Sequence, residues 1–239
     1  DSLLNEGTID DNDWGSILMQ IIMILITFQS LFSFTHNDLH SNNIMYNETS
    51  EQYLYYKYNS LVYKVPTYGR IFKIIDFGRS VYKINNIVYC SDCFKPNEDA
   101  YTQYNTEPFF NSKKPRLDYN YSFDLCRLGC CLIDEIVEDY KTMNINSLSP
   151  MEKIITEWCL NDKNYNILYK STGEDRYEGF KIYKMISRTV HNHTPIKQLS
   201  RPEFSKYVVK NISNIDNKLM DIDKMIKDLW SDPPHPPDS

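Results

Sequence analysis

The sequence predicts a mainly α-helical protein with a small β-hairpin or sheet. An apolar run from Ile17 to Phe34 has the length of a buried helix, and a second strongly apolar helix is predicted over residues 121–140. Aromatic and β-branched runs within residues 46–75 predict strands. We expect one domain over residues 1–230 and a proline-rich disordered tail over residues 231–239.

Composition narrows the classes of function. The 239 residues carry a net charge of -6 with mixed signs, so neither a basic nucleic-acid surface nor a polybasic membrane surface is predicted. No secretory signal is visible, and the six cysteines are expected to be reduced. Cys90 and Cys93 have zinc-knuckle spacing, but no second pair completes four ligands. A protein or small-molecule substrate fits this composition best.

The first predicted element is a core helix over residues 14–35. Asp10, Asp11 and Asp13 precede its apolar part and suit a helix N-terminus. The run approaches the length of a membrane span, but polar residues such as Gln20 and Thr27 interrupt it. We therefore predict a buried helix and not a membrane segment.

The next element is an extended β insertion over residues 46–75. Tyr53–Tyr58 and Leu61–Val65 are predicted strands with a turn between them, and the periodicity is that of a hairpin. A third strand, Ile71–Ile75, ends directly before Asp76.

The remainder divides into a loop and helices. Between Gly78 and about Asn120 there is little periodicity, which predicts a long mobile or ligand-shaped loop. Apolar periodicity then predicts helices over residues 121–140, 150–160, 177–190 and 201–230, the last broken near Ser213.

Two short motifs indicate phosphoryl-transfer chemistry. Residues 36–43 read His-Asn-Asp-Leu-His-Ser-Asn-Asn, and Asp-Phe-Gly follows at residues 76–78. In such a site one carboxylate accepts the proton of the attacking hydroxyl, while an amide oxygen and a second carboxylate hold magnesium against the phosphates. The two motifs in this order are far more specific than either one alone.

The order of the motifs, the loop and the apolar helix resembles the C-terminal lobe of the eukaryotic-type protein kinases. That helix begins Ser-Phe-Asp-Leu-Cys-Arg-Leu-Gly at residues 122–129, and the segment 63–79 resembles serine/threonine kinases of giant DNA viruses. The resemblance extends from Trp14 to about Tyr207. It implies a catalytic loop at 36–43, an activation segment at 76–110 and a helical subdomain at 150–230.

The resemblance also implies the roles of the central residues. Asp38 would be the catalytic base, and Asn43 and Asp76 would ligate Mg²⁺, with Mn²⁺ as an alternative ion. ATP would be the phosphoryl donor and a protein the acceptor. His40 stands where the family has a lysine that steadies the transferring phosphate; a neutral imidazole supplies less charge.

Other residues would support the site. Phe77 and Gly78 would form the hinge of the activation segment, and His36 would pack beneath Phe77. Asp124 would accept hydrogen bonds from the catalytic-loop backbone, with a helix N-cap as the plainer interpretation.

Further family positions are irregular in this chain. Asn37 replaces an arginine, so an activation-loop phosphate would lack its usual partner. No Ala-Pro-Glu is present, but Glu107 lies about where its glutamate is expected. The resemblance implies that Glu107 pairs with Arg201.

The sequence lacks the parts that cover the nucleotide in a kinase. None of its seven glycines forms a Gly-x-Gly-x-x-Gly loop, and the first basic side chain, Lys57, comes after the catalytic motif. We expect the N-terminal lobe to lie upstream of Asp1, in a longer kinase.

Three functions stay open at this stage. The first is the large lobe of a viral serine/threonine protein kinase, acting in the host cytoplasm or in the virion and not secreted. The second is a kinase-like binding or structural virion module without catalysis. The third is a small-molecule kinase, because His40 in this setting also resembles the aminoglycoside and choline kinases.

Overall fold

The computed structural model describes residues 9–137, 139–210 and 218–231, and this part of the chain is mixed α/β. Its seven α-helices are α1 (Asp11–Phe32), α2 (Phe123–Ile136), α3 (Pro150–Trp158), α4 (Lys181–Thr189), α5 (Pro195–Gln198), α6 (Pro202–Ser205) and α7 (Ile222–Ser231). Its eight strands are β1 (Ile44–Glu48), β2 (Tyr53–Tyr58), β3 (Leu61–Pro66), β4 (Arg70–Ile74), β5 (Val81–Ile84), β6 (Ile87–Cys90), β7 (Val208–Val209) and β8 (Leu219–Asp221).

Helix α1 is the centre of the main core, as its apolar sequence predicts. Asp10 caps it, because its carboxylate accepts hydrogen bonds from the N–H groups of Asn12 and Asp13, both at 2.8 Å. Leu18, Ile22 and other apolar side chains of α1 are fully buried against α2, α3 and the strands.

The polar residues within α1 do not by themselves exclude it as a membrane-spanning helix. By length and mean hydropathy (1.9), α1 does meet the requirement for a membrane span. In the same window, however, 67% of the residues are buried within the protein. The core position of the helix accounts for its composition.

The polar residues of α1 bind backbone groups of the strands above it. Gln20 is buried, accepts a hydrogen bond from the N–H of Phe72 at 3.0 Å and donates one to the carbonyl of Arg70 at 3.2 Å. Ser16 donates to the carbonyl of Pro66 at 2.6 Å. These contacts dock β4 and the end of β3 on the helix.

The predicted hairpin is confirmed. Strands β2 and β3 pair antiparallel across Asn59 and Ser60, whose positive φ angles of 51° and 63° suit a tight two-residue turn. Strands β7 and β8, which the sequence did not reveal, extend this hairpin to four strands in the order β7-β3-β2-β8. Strand β4 lies in a separate antiparallel pair with β1.

The prediction of an irregular loop between Gly78 and Asn120 is wrong for its first part. Strands β5 and β6 form a hairpin whose turn residues, Asn85 and Asn86, have φ angles of 49° and 64°. An Asn-Asn pair between two β-branched and aromatic runs is a hairpin signal that the sequence does contain. The rest of the segment packs around a small cluster that includes Phe94 and Ala100.

The helices predicted from the sequence agree with the observed helices to different degrees. Helices α2, α3 and α4 fall within the three predicted ranges, each shorter than predicted. The long helix predicted over residues 201–230 is wrong: the described part holds four-residue α6, two short strands and α7. The predicted break at Ser213 and all but the first residue of the predicted tail lie outside the described residues.

Helices α2 and α3 approach each other closely at Gly129. A Cβ atom at this position would lie 3.0 Å from the carbonyl oxygen of Ile155 and 3.0 Å from the Cβ of Trp158. Both neighbours belong to the buried core and cannot retreat without moving α3. The glycine therefore fixes the distance between these helices.

We predict that Gly129→Val lowers the free energy of unfolding by about 2–3 kcal/mol, because the added methyl groups overpack this contact. Urea unfolding followed by circular dichroism measures the change. Glu135→Ala, on the exposed side of the same helix, should have little effect. Wild-type stability in Gly129→Val would show that α2 and α3 are free to separate.

Candidate active site

The two sequence motifs meet at one end of the β1–β4 pair. Residues 36–43 connect α1 to β1, and Asp76 follows β4. Ile44 pairs with Ile74, and the N–H of Ile75 donates to the carbonyl of Asn43 at 2.9 Å. Antiparallel pairing thus places Asn43 opposite Ile75, the residue before Asp76, so the ends of the two motifs are adjacent although they are distant in sequence.

Asn43 is buried and organises the loop that carries Asp38. Its side-chain N–H₂ donates to the backbone carbonyl of Asp38 at 3.0 Å. Because the amide nitrogen is used in this way, the amide oxygen is the atom left to ligate a cation. The Asp38 side chain is 23% exposed.

His40 lies among these groups. Its Nε2 is 3.3 Å from the side-chain nitrogen of Asn43. Burial lowers the pKa of His40, and the carboxylates of Asp38 and Asp76 oppose this shift. The imidazole is therefore mainly neutral at pH 7.

Asp76 sits in an uncommon backbone conformation. Its φ angle is 59°, in the left-handed region that non-glycine residues seldom adopt, and its carboxylate accepts the N–H of Gly78 at 3.2 Å. The residue is exposed. Among the residues that the structure describes, no group of three or more His, Cys, Asp and Glu side chains gathers around a common point. The amide oxygen of Asn43 and the carboxylate of Asp76 are oxygen donors of the kind that hard divalent cations prefer.

Phe77 rests on aromatic side chains next to the loop. Its ring centroid lies 5.7 Å from that of His36, 5.9 Å from that of Phe34 and 6.2 Å from that of Phe28. The ring remains 48% exposed. His36 itself is buried and bonds through Nε2 to the carbonyl of Ile75 at 2.9 Å, so it joins the two motifs. This is the position that the resemblance implies for His36.

Asp124 binds the backbone at the start of the loop formed by residues 36–43. Its fully buried carboxylate accepts the backbone N–H groups of His36 and Asn37, each at 2.9 Å. Burial raises the pKa of Asp124, while His36 and the two N–H donors act in the opposite direction. Ser122, and not Asp124, occupies the N-cap position of α2. The contact is the one that the resemblance implies.

Asn37 connects the loop to the segment after Asp-Phe-Gly. It is buried with a φ angle of 64°, and its side-chain nitrogen donates to the carbonyl of Arg79 at 3.1 Å. Its side-chain oxygen accepts the hydroxyl of Tyr104 at 2.6 Å. A neutral amide therefore connects these two segments at the position where the protein kinases that the sequence resembles have an arginine.

The expected pairing of Glu107 with Arg201 is wrong. Glu107 binds Arg116 at 2.8 Å, and Arg201 binds Glu157 of α3 at 2.6 Å. Arg116 is held close because Asn105 and Leu117 pair across the same loop. Arg116 holds the pKa of Glu107 low, at about 2. Each charge thus has a nearer partner than the resemblance implies.

Sequence reasoning missed three residues that surround Asp38. The hydroxyl of Tyr183 donates to Asp38 Oδ1 at 2.6 Å, and Arg79 Nε lies 3.8 Å from Asp38 Oδ2. Arg127 donates to the hydroxyl of Tyr183 at 3.1 Å. Arg79 directly follows Gly78, so its place near the site was open to inference. No sequence signal marks Tyr183, because helix α4 reaches the site only through tertiary packing.

Comparison with known proteins places the chain beside a viral protein. No family model matches the chain. The uncharacterized protein 098R of Invertebrate iridescent virus 6 is 39% identical over 70 residues, which are 28% of this chain and 12% of that protein. The chain therefore matches only a small part of its relative's length, and the similarity is to a viral protein of unassigned activity.

We predict that Asp124→Ala lowers the free energy of unfolding by roughly 2–4 kcal/mol, because two buried N–H groups lose their acceptor. Urea unfolding measures the loss. The matched control is Asp118→Ala, which removes an exposed carboxylate and should change stability little. Equal effects of the two substitutions would contradict a supporting role for Asp124.

Proposed function

We propose that this chain is the large lobe of a viral serine/threonine protein kinase, which transfers the γ-phosphoryl group of ATP to a protein hydroxyl. One observation carries the proposal: the backbone of Asn43 pairs with Ile75, the residue before Asp76, and the side chain of Asn43 binds the backbone carbonyl of Asp38. In the proposed reaction these three residues would supply a base and two oxygen ligands for a cation.

Each residue has a distinct task in the proposed reaction. Asp38 accepts the proton of the attacking hydroxyl through one carboxylate oxygen. The amide oxygen of Asn43 and the carboxylate of Asp76 would hold Mg²⁺ or Mn²⁺, which neutralises charge on the phosphates when bound. Asp124 and His36 hold the loop so that these groups stay in register.

The electrostatics of the site favour a cation-dependent reaction. Asp38 and Asp76 contribute negative charge, and neutral His40 does not offset it. Arg79 is the guanidinium within 4 Å of Asp38. The phosphates would therefore depend on bound cations for most of their compensating charge.

A viral source agrees with the similarity to the iridovirus protein. A mobile protein acceptor suits an exposed Asp76 and a half-exposed Phe77 better than a closed small-molecule pocket does. The proposal includes a small lobe upstream that completes the nucleotide site, and action in the host cytoplasm or virion.

A second candidate is a kinase-like module that binds a partner without catalysis. The observation in its favour is that both carboxylate oxygens of Asp38 already face protein groups, Tyr183 and Arg79. Against it, a scaffold has no physical need for Asp38, Asn43 and Asp76 together. Kinetics of the full-length protein separate the two candidates.

We predict that the full-length protein phosphorylates a generic protein acceptor and that Asp38→Asn and Asp76→Asn each slow it at least about a hundredfold, through loss of the base or of a cation ligand. Transfer of radiolabelled phosphate with ATP and Mg²⁺ measures the rate. Asp228→Asn, an exposed carboxylate on α7, is the matched control and should leave the rate unchanged.

Turnover in the wild type that either site substitution leaves intact would reject the residue assignments. No turnover in the wild type would favour the non-catalytic module.

We predict that these 239 residues alone bind ATP with Mg²⁺ more weakly than about 1 mM, because the sequence holds neither a glycine-rich loop nor a strand lysine before the catalytic motif. Isothermal titration calorimetry gives the dissociation constant, with the full-length protein as the positive control. A micromolar constant for the isolated chain would show that the large lobe forms a complete nucleotide site.

A further inference from the structure

The hydroxyl of Tyr183 forms a short hydrogen bond with the carboxylate proposed as the catalytic base. Tyr183 Oη lies 2.6 Å from Asp38 Oδ1, and the two residues are 145 positions apart in sequence. Tyr183 projects from α4, which packs against α2 behind the catalytic loop. The contact therefore joins the helical part of the fold to the site.

The direction of this hydrogen bond is set by Arg127. The guanidinium Nε–H of Arg127 donates to Tyr183 Oη at 3.1 Å, and a guanidinium has no acceptor. The phenol proton must therefore point to Asp38. Burial also raises the pKa of Tyr183, which keeps the hydroxyl protonated and able to donate.

The ring of Tyr183 is held independently of its hydroxyl. It stacks on Phe180 with centroids 4.6 Å apart and planes 7° apart, and it contacts Phe123 at 6.0 Å. Arg79 lies over Phe180 at 5.1 Å, with Nε 3.8 Å from Asp38 Oδ2. The ring thus stays in place when only its oxygen is removed.

We propose that Tyr183 is a positioning residue for phosphoryl transfer: its hydroxyl, held by Arg127, engages Oδ1 of Asp38, so that Oδ2, which lies 3.8 Å from Arg79 Nε, is the oxygen that accepts the proton of the acceptor hydroxyl. This inference rests on the proposed kinase function. A carboxylate held at one oxygen cannot rotate away from the acceptor, so the reactive geometry exists before the substrate binds.

The test is Tyr183→Phe in the full-length protein, which removes the hydroxyl and keeps the stacked ring. We expect kcat to fall about tenfold to a hundredfold, because the freed carboxylate samples unproductive orientations, while KM for ATP stays unchanged. A purely structural role would leave kcat intact, since the ring remains. The matched control is Tyr169→Phe, which breaks a similar tyrosine–aspartate bond to Asp134 outside the site.

A measurement without turnover tests the bond itself. In a double-mutant cycle of Tyr183→Phe and Asp38→Ala, the losses of unfolding free energy should be smaller together than their sum, because both remove one interaction. Additive losses would overturn the proposed contact whether or not the protein is a kinase.

The kinetic outcomes separate the two proposals. An active wild type with an equally active Tyr183→Phe would overturn the positioning role and leave the kinase function standing. A faster Tyr183→Phe would also overturn it, by showing that the hydroxyl competes with the acceptor. An inactive wild type would overturn the kinase function, and the positioning role with it.

Discussion

The arrangement depends on the docking of strand β4 onto helix α1 through the buried side chain of Gln20. One amide of this side chain satisfies both an N–H and a carbonyl of β4, at Phe72 and Arg70. Without Gln20 these backbone groups would be buried against an apolar helix and unpaired, which costs free energy. With Gln20 in place, β4 is fixed on the core, β1 pairs with β4, and Asp76 follows directly after Ile75, which bonds to Asn43.

The loop of residues 36–43 is held by polar contacts that are buried or partly buried. Asp124 accepts two N–H groups at its start, His36 bonds to the carbonyl of Ile75, and Asn37 reaches the segment around Arg79 and Tyr104. Each contact joins a different element to the same eight residues. In a low-dielectric interior such satisfied polar networks favour one arrangement, because any alternative leaves groups without partners. The rigidity of the loop therefore comes from its neighbours.

The charges around Asp38 divide between two sides. One side is formed by Tyr183, which is held by a hydrogen bond from Arg127 and by stacking on Phe180. On the other, Asp76 and Phe77 are exposed, and Asp76 adopts a left-handed backbone conformation. The proposed phosphoryl transfer would need both properties, since the base would be held still while the nucleotide and cation enter and leave. The neutral state of His40 leaves the entry side with little positive charge of its own.

Sequence alone determined the features that depend on local pattern, namely the buried helix α1 and the β2–β3 hairpin with its Asn-Ser turn. It also drew attention to the two short motifs that contain Asp38, Asn43 and Asp76. Local periodicity and turn chemistry act over a few residues and are written directly in the chain. It also contained the Asn-Asn turn of β5–β6, which the irregular loop prediction overlooked.

Only the tertiary structure decided the pairs that join distant segments. Arg201 binds Glu157 instead of Glu107, strands β7 and β8 replace part of a predicted long helix, and Tyr183 reaches Asp38 across 145 residues. Such contacts depend on how elements pack, and no local pattern around Tyr183 or Arg201 distinguishes their partners. The proposed chemistry thus rests on short motifs, while the groups that would orient it became visible only once the helices and strands were in place.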